Sequence, residues 1–348
     1  MSAESAQAYA TLGTTGVQVS RLCLGTMMFG ANGNTDAADC TRIVHAALDA
    51  GINFIDTADV YGNRGGTEEI LGAALAGGRR DNVVLATKGH FPMGEDRNMR
   101  GNSRRWIRQA VEGSLRRLRT DRIDLYQLHR PDPRCDIDES LGALSDLVRE
   151  GKLLMIGTST FPAAELVEAQ WTSERRGRER FVTEQSPYSI LVRAIEADVL
   201  PTARRHGIGV LVWSPLCGGW LAGKYRADVE PQASWRTRFN PGRFDTSSPA
   251  GHRKARIVER LSQLANEAGM PLIHLALRFV LEHPAVSAAI IGPRTMEQLQ
   301  SQLGAGAARL PGDVLDEIDR LVAPGEVVNP ADFGATPDPL SLHNRRQA

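Results

Sequence analysis

The chain has 348 residues, 42% apolar and 24% charged, the proportions of an ordinary globular protein rather than a disordered chain, a coiled coil or a collagen-like fibre. Its 41 Lys and Arg balance 41 Asp and Glu. That balance excludes the basic footprint of a dedicated nucleic-acid binder, but not a local anion pocket.

Residues 1–10 are polar and lack a basic-then-apolar leader pattern. No apolar run approaches the ~18 residues needed to span a bilayer. Cys23, Cys40, Cys135 and Cys217 form no C-x-x-C pair and fit neither a zinc site nor a disulfide framework. A reduced, cytoplasmic protein without membrane insertion is expected.

Next comes Leu12-Gly13-Thr14-Thr15-Gly16-Val17, which predicts a hairpin over 9–20 that caps one end of the fold. Eight short apolar runs follow: Leu22–Thr26, Ile52–Thr57, Asn82–Lys88, Ile123–His129, Leu153–Ser159, Arg180–Gln185, Gly209–Trp213 and Val286–Ile291. Several are nearly continuous, as in Val83-Val84-Leu85-Ala86, which suits parallel strands covered on both faces. Between them lie helical stripes. Ser103 is a good N-cap for apolar residues at Ile107, Val111, Leu115 and Leu118. Asp136, with Glu139 as capping-box partner, precedes Leu141, Leu144 and Val148. Gly51, Gly151 and Gly207 stand where a helix gives way to the next strand. The alternation predicts a (β/α)8 TIM barrel as one domain over 1–348, rather than an open doubly wound sheet. The first strand runs into Gly25-Thr26-Met27-Met28-Phe29-Gly30, which is not a dinucleotide-binding G-x-G-x-x-G. A long Gly-, Pro- and Arg-rich loop over 217–252, after the seventh barrel strand, reads as a functional insertion. The tail over 325–348 has no pattern and is expected to be loosely ordered.

In such a barrel, chemistry gathers at the C-terminal strand ends. There the second, third and fourth runs deliver Asp56, Lys88 and His129, and the loop after the second adds Tyr61. Asp56 is the natural partner of a desolvated Lys88. A nearby ammonium should lower the phenol of Tyr61 from ~10 toward neutrality, which needs about 4 kcal/mol at ~1.4 kcal/mol per unit. Tyr61 would then serve as general acid toward a carbonyl oxygen, or base toward an alcohol, with His129 as a second donor. The remaining histidines show no H-x-H or H-E-x-x-H spacing, which argues against a metal-dependent hydrolase. Asp59, Asn63 and Arg64 flank Tyr61 and either line the mouth or are merely solvated. Leu24, Met28, Phe29, Phe91, Trp220 and Trp235 suggest a partly apolar pocket.

Asp56-Thr57-Ala58-x-x-Tyr61-Gly62, Thr87-Lys88 and Leu128-His129-Arg130-Pro131-Asp132 together resemble the tetrad segments of the aldo-keto reductases. The likeness continues in Gly157-Thr158-Ser159, Gln185, Trp213-Ser214-Pro215-Leu216, Gly223-Lys224-Tyr225 and Ile291-Gly292-Pro293-Arg294-Thr295-x-x-Gln298-Leu299. It runs from about Leu12 to about Val322 and is strongest to the branch that holds voltage-gated potassium channel beta subunits and related bacterial reductases. The resemblance implies NADPH/NADP+ laid across the strand ends. Ser159 and Gln185 would hold the carboxamide and Trp213 would stack on the nicotinamide. Ser214, Leu216 and Lys224 would meet the pyrophosphate, and Arg294, Gln298 and Gln302 the adenosine end. A 2′-phosphate suits arginine forks, so Arg294 at a helix start and Arg236, Arg238 and Arg243 from the long loop, with Arg236 and Arg238 the pair favoured by position, point to NADP(H) over NAD(H). Thr160 and the pair Ser301-Gln302 depart from the family pattern. The activity implied is NADPH-dependent reduction of an aldehyde or ketone. The alternative is a cofactor-holding regulatory subunit that turns over slowly and docks to a partner protein. The expected partner is a small carbonyl compound; no nucleic acid is expected, and self-association is left open.

Overall fold

The structure, a computed structural model, describes residues 8–333. The expectations placed on 1–7 and on 334–348 lie outside the described residues. A hairpin of β1 (Tyr9–Thr11) and β2 (Gln18–Ser20) leads into the barrel. The barrel strands are β3 (Leu22–Gly25), β4 (Phe54–Asp56), β5 (Val84–Gly89), β6 (Ile123–Leu128), β7 (Leu153–Ser159), β8 (Phe181–Pro187), β9 (Gly209–Trp213) and β10 (Val286–Ile291). All neighbours are parallel, and β10 pairs with both β9 and β3 to close the ring. The sequence runs overlap all eight strands, match β7, β9 and β10 end to end, and stop one residue short of the end of β5 and two short of the end of β8.

Helices α1 (Ala37–Asp49), α2 (Tyr61–Ala74), α3 (Arg104–Leu118), α4 (Ile137–Arg149), α5 (Ala163–Arg176) and α6 (Val199–His206) each follow a strand. Short α7 (Trp235–Phe239) and then α8 (Pro249–Glu267) and α9 (Leu272–Glu282) lie between β9 and β10. After β10 come α10 (Met296–Gln302) and α11 (Gly312–Leu321). Ser103 Oγ accepts from Trp106 N at 3.3 Å, the expected cap. The expected box at Asp136 is only half made. Asp136 caps Asp138 N, but Glu139 Oε1 accepts from Arg104 N at 2.8 Å and so ties α4 to α3 instead. Gly51, Gly151 and Gly207 take φ of 87°, 74° and 68°, the left-handed turn that ends a helix.

Inside the ring, side chains alternate in layers. Cys23, Phe54, Ala86, Leu125, Leu211 and Ala288 form an apolar plug that the hairpin seals with Leu12 and Val19. Period two then places Asp56, Lys88, Gln127 and Trp213 one step further toward the C-terminal mouth. The same pleat thus builds a dry floor and a polar site above it.

The 217–252 insertion is not a featureless loop. It holds a 3-10 turn over Cys217–Ala222, α7 and a second turn over Pro241–Arg243, and α8 begins at Pro249. Residues 325–333, expected to be loose, are packed. Asp332 is fully buried and pairs with Lys254 at 2.7 Å and Arg243 at 3.1 Å. Asn329 Nδ2 donates to Gly242 O at 2.9 Å. Sequence periodicity misses this segment because one buried charge holds it rather than an apolar stripe.

Removing one member of a buried pair strands the other charge. Asp332→Ala is expected to lower unfolding free energy by about 3–5 kcal/mol in urea, and Asp332→Leu with Lys254→Met to recover most of it. A single-variant loss below about 1 kcal/mol would contradict this reading.

Candidate active site

Asp56 ends β4, and Lys88 stands one strand away on β5 in register with Gln127 of β6. Lys88 Nζ reaches back to Asp56 Oδ1 at 2.5 Å and Thr57 O at 2.8 Å, and both side chains are buried. Asp56 Oδ2 accepts from Gln127 Nε2 at 3.1 Å and Gln185 Nε2 at 2.9 Å. Gln185 Nε2 also donates to Gln127 Oε1 at 3.1 Å. The carboxylate is thus satisfied by three strands at once.

Tyr61 opens α2, where Gly62, Asn63, Arg64 and Gly65 run left-handed with φ of 64°, 64°, 65° and 112°. A Cβ on Gly62 would sit 2.5 Å from Thr67 N, so only glycine fits that turn. The turn holds the phenol over the network. Lys88 Nζ lies 5.4 Å from the Tyr61 ring centroid, and the His129 ring meets Tyr61 edge-on at 5.8 Å. Phe91 covers the other side of His129 at 4.8 Å. The four residues that sequence spacing singled out therefore converge on one spot.

The electrostatics differ from the sequence expectation in one respect. The Tyr61 phenol is held above its usual value, because burial outweighs the pull of Lys88 and Asp56 cancels part of that pull. The phenol keeps its proton at neutral pH. Burial would discharge Lys88, but Asp56 beside it more than compensates and holds the ammonium charged. Burial, then Lys88 and Arg130, drive His129 well below the usual histidine range, so the imidazole is neutral. Its Nδ1 is buried with no partner among the described residues.

Asp59 and Arg64 do not form a charged mouth. Asp59 is buried and lines, with Arg64 and Trp106, a cavity of about 490 Å³ on the α3 side. Leu24, Phe29 and Trp220 are core residues with no exposure. Phe91 does stand at the site, and His90 behind it hydrogen-bonds Asn102 at 2.9 Å.

Ser159 and Gln185 are register partners on β7 and β8, and Ser159 Oγ donates to Gln185 O at 3.0 Å. Gln185 spends its amide hydrogens on Asp56 and Gln127, leaving its carbonyl to accept. Trp213 ends β9, half-exposed. Ser214 follows with φ 58° and accepts from Arg243 Nη2 at 3.3 Å. Lys224, Arg236 and Arg294 form no ion pair among the described residues. Burial and then mutual repulsion lower both Lys224 and Arg236. Such a cluster is an anion site in charge and placement. Arg243 rather than Arg238 joins it; Arg238 is exposed on α7. Gln298 Oε1 accepts from Arg294 N at 2.9 Å, and Gln302 is buried with its amide on Gln298 O at 2.6 Å. Thr295 caps the short α10, so attraction there rests on side chains rather than on a free helix end.

Two residues had no assigned role in sequence. Gln127 was visible one position before Leu128, and inward alternation along β6 is the signal that finds it. Glu184 is buried and pushed up to about 7, by burial against donors from Thr158, Ser186 and the backbone of Thr160 and Phe161. It shapes the turn at Thr160, where φ is 61°. Among the described residues no three His, Cys, Asp or Glu side chains are grouped to hold a metal ion, and no helix is long and apolar enough to cross a membrane.

Comparison with known proteins gives a consistent result. The aldo/keto reductase family model matches residues 21–323. The chain is 42% identical to the uncharacterized oxidoreductase YrpG of Bacillus subtilis, over 95% of this chain and 98% of that one. It is 36% identical to the aldo-keto reductase YhdN of the same organism, over 84% and 87%. A probable voltage-gated potassium channel subunit beta of Arabidopsis thaliana is 33% identical, over 90% and 96%.

The buried pair sets a stability test. Lys88→Met leaves Asp56 as an unpaired buried charge and should cost about 3–5 kcal/mol in a urea melt without ligand, whereas Tyr61→Phe removes no charge and should cost less than about 1.5 kcal/mol. Equal losses would contradict the network described.

Proposed function

The chain belongs to the aldo/keto reductase family, and from that premise we propose that it is an NADPH-dependent oxidoreductase that reduces an aldehyde or ketone to the alcohol. The observation that carries this is the convergence of Tyr61 and His129 on the buried Asp56–Lys88 pair, with the phenol pushed above and the imidazole below their usual values.

The residues present fit the cofactor. The side-chain carbonyl of Gln185 and the hydroxyl of Ser159 suit a carboxamide, and half-exposed Trp213 offers an aromatic face. Ser214, Leu216 and Lys224 would meet the pyrophosphate, and Arg236, Arg243 and Arg294 would take a 2′-phosphate. Bound there, the nicotinamide supplies the hydride. Tyr61 gives its proton to the carbonyl oxygen as charge develops on it, and His129 donates a second hydrogen bond to that oxygen. Lys88 makes loss of the Tyr61 proton easier and Asp56 fixes Lys88 in place.

A cofactor-holding subunit remains the second reading, because a relative carries a channel-subunit name. The complete Asp56, Tyr61, Lys88 and His129 set favours turnover.

The test follows absorbance at 340 nm with NADPH, NADH and an activated aromatic aldehyde. NADPH should be consumed faster than NADH. Tyr61→Phe should cut turnover by about 100-fold or more, with NADPH affinity by fluorescence changed less than about threefold. Retained turnover would remove Tyr61 as the acid, and binding without turnover of any carbonyl would favour the subunit reading.

The proton positions fix the pH profile. Tyr61 is raised and His129 lowered, so neither titrates between pH 6.5 and 9, their usual values being ~10 and ~6.5. Reduction should be flat there, while alcohol oxidation, which needs phenolate, should climb about tenfold per pH unit. Glu184 titrates in this window, but its oxygens face the 158–161 turn rather than the carbonyl. A reduction rate that falls with a midpoint near 7 would contradict the assignment.

A further inference from the structure

Arg130 follows His129 at the end of β6 and plays no part in the chemistry described. Its Nη1 donates to His129 O at 2.6 Å and lies 3.5 Å from Ser159 Oγ. Its guanidinium carbon sits 5.6 Å from the Phe91 centroid, and Phe91 covers His129. The group is half-buried between the candidate acid and the Ser159 side of the mouth.

It has no ion-pair partner among the described residues. The two acids that could serve are both committed elsewhere. Asp132 accepts from Arg134 Nε at 3.1 Å and Asn102 N at 3.2 Å. Glu184 faces Thr158, Ser186 and the backbone of Thr160 and Phe161. Nε and Nη2 of Arg130 have no protein acceptor among the described residues.

Charge around the reacting position is therefore unbalanced. Asp56 and Lys88 cancel, Tyr61 and His129 are neutral, and Arg130 is left as a positive charge that Glu184, raised to about 7 and held by other donors, offsets only in part. A partly desolvated guanidinium gains most from an oxyanion that its planar fork can grip.

We propose that Arg130 selects carbonyl substrates that carry an oxyanion, a carboxylate or a phosphate, on the same molecule as the reacting carbonyl. This rests on the reductase reading above and narrows it to a substrate class. The apolar face of Phe91 would pack the carbon skeleton between the two ends, which makes the mouth a site for short amphiphilic aldehydes rather than for wholly apolar ones.

The test compares pairs that share the reacting aldehyde and differ in the oxyanion. Succinic semialdehyde against butanal probes a carboxylate, and glyceraldehyde 3-phosphate against glyceraldehyde probes a phosphate. The wild-type protein should prefer one charged member by about tenfold or more in kcat/KM, and which pair shows it identifies the oxyanion. Arg130→Gln should reduce that charged-to-neutral ratio by about 10- to 100-fold, and Arg130→Lys should restore part of it. NADPH affinity by fluorescence reports on the other role open to the residue. A fall in NADPH affinity as large as the fall in the ratio would assign Arg130 to the cofactor and overturn the proposal. Equal wild-type use of charged and neutral aldehydes, or an unchanged ratio in Arg130→Gln, would overturn it while leaving the reductase reading intact. No turnover of any aldehyde would overturn the reductase reading and this inference with it.

Discussion

The site depends on one ion pair that is dry on every side. An ammonium and a carboxylate inside a barrel are costly to desolvate, and they stay ionised only because each is paired and the remaining hydrogen-bonding capacity is filled. Lys88 finds Asp56 and Thr57 O; Asp56 finds Lys88, Gln127 and Gln185. Three neighbouring strands and one further round the ring are tied to a single carboxylate, which also fixes where the ammonium can act. Tyr61 is carried to it by a left-handed turn, a strained conformation for Asn63 and Arg64 that the surrounding packing must hold.

The second constraint is charge on the opposite rim. Lys224, Arg236 and Arg294 repel one another and are only partly screened by water. Arg243 joins them, but it is braced from behind by Asp332, which also neutralises Lys254. The C-terminal segment thereby supports the insertion over the mouth. A bound anion would repay that repulsion.

Much of this was legible in sequence, and for identifiable reasons. Strand order follows from alternation, and the convergence of Asp56, Tyr61, Lys88 and His129 follows from their places at strand ends in a barrel. What escaped was balance between opposing terms. The presence of Lys88 suggested an acidified phenol, whereas burial of the ring and the nearness of Asp56 reverse the sign. Direction along a helix also escaped: Glu139 has the spacing of a capping box but points to α3, and Arg238 has the position of a phosphate ligand but points to solvent. The ordered residues 325–333 carry no periodic pattern, because a buried charge holds them in place. Gln127 was in view as the neighbour of a motif, but its partners Asp56 and Gln185 lie on other strands.

The proposed turnover rests on Tyr61 standing ready as a protonated acid rather than as a phenolate. Selective 13C labelling of tyrosine at the ring carbon bearing oxygen reads this directly, since the chain has five tyrosines and Tyr61→Phe identifies the signal. The Tyr61 resonance should stay in the phenol position up to about pH 10. A resonance that moves to the phenolate position near pH 7 would contradict it.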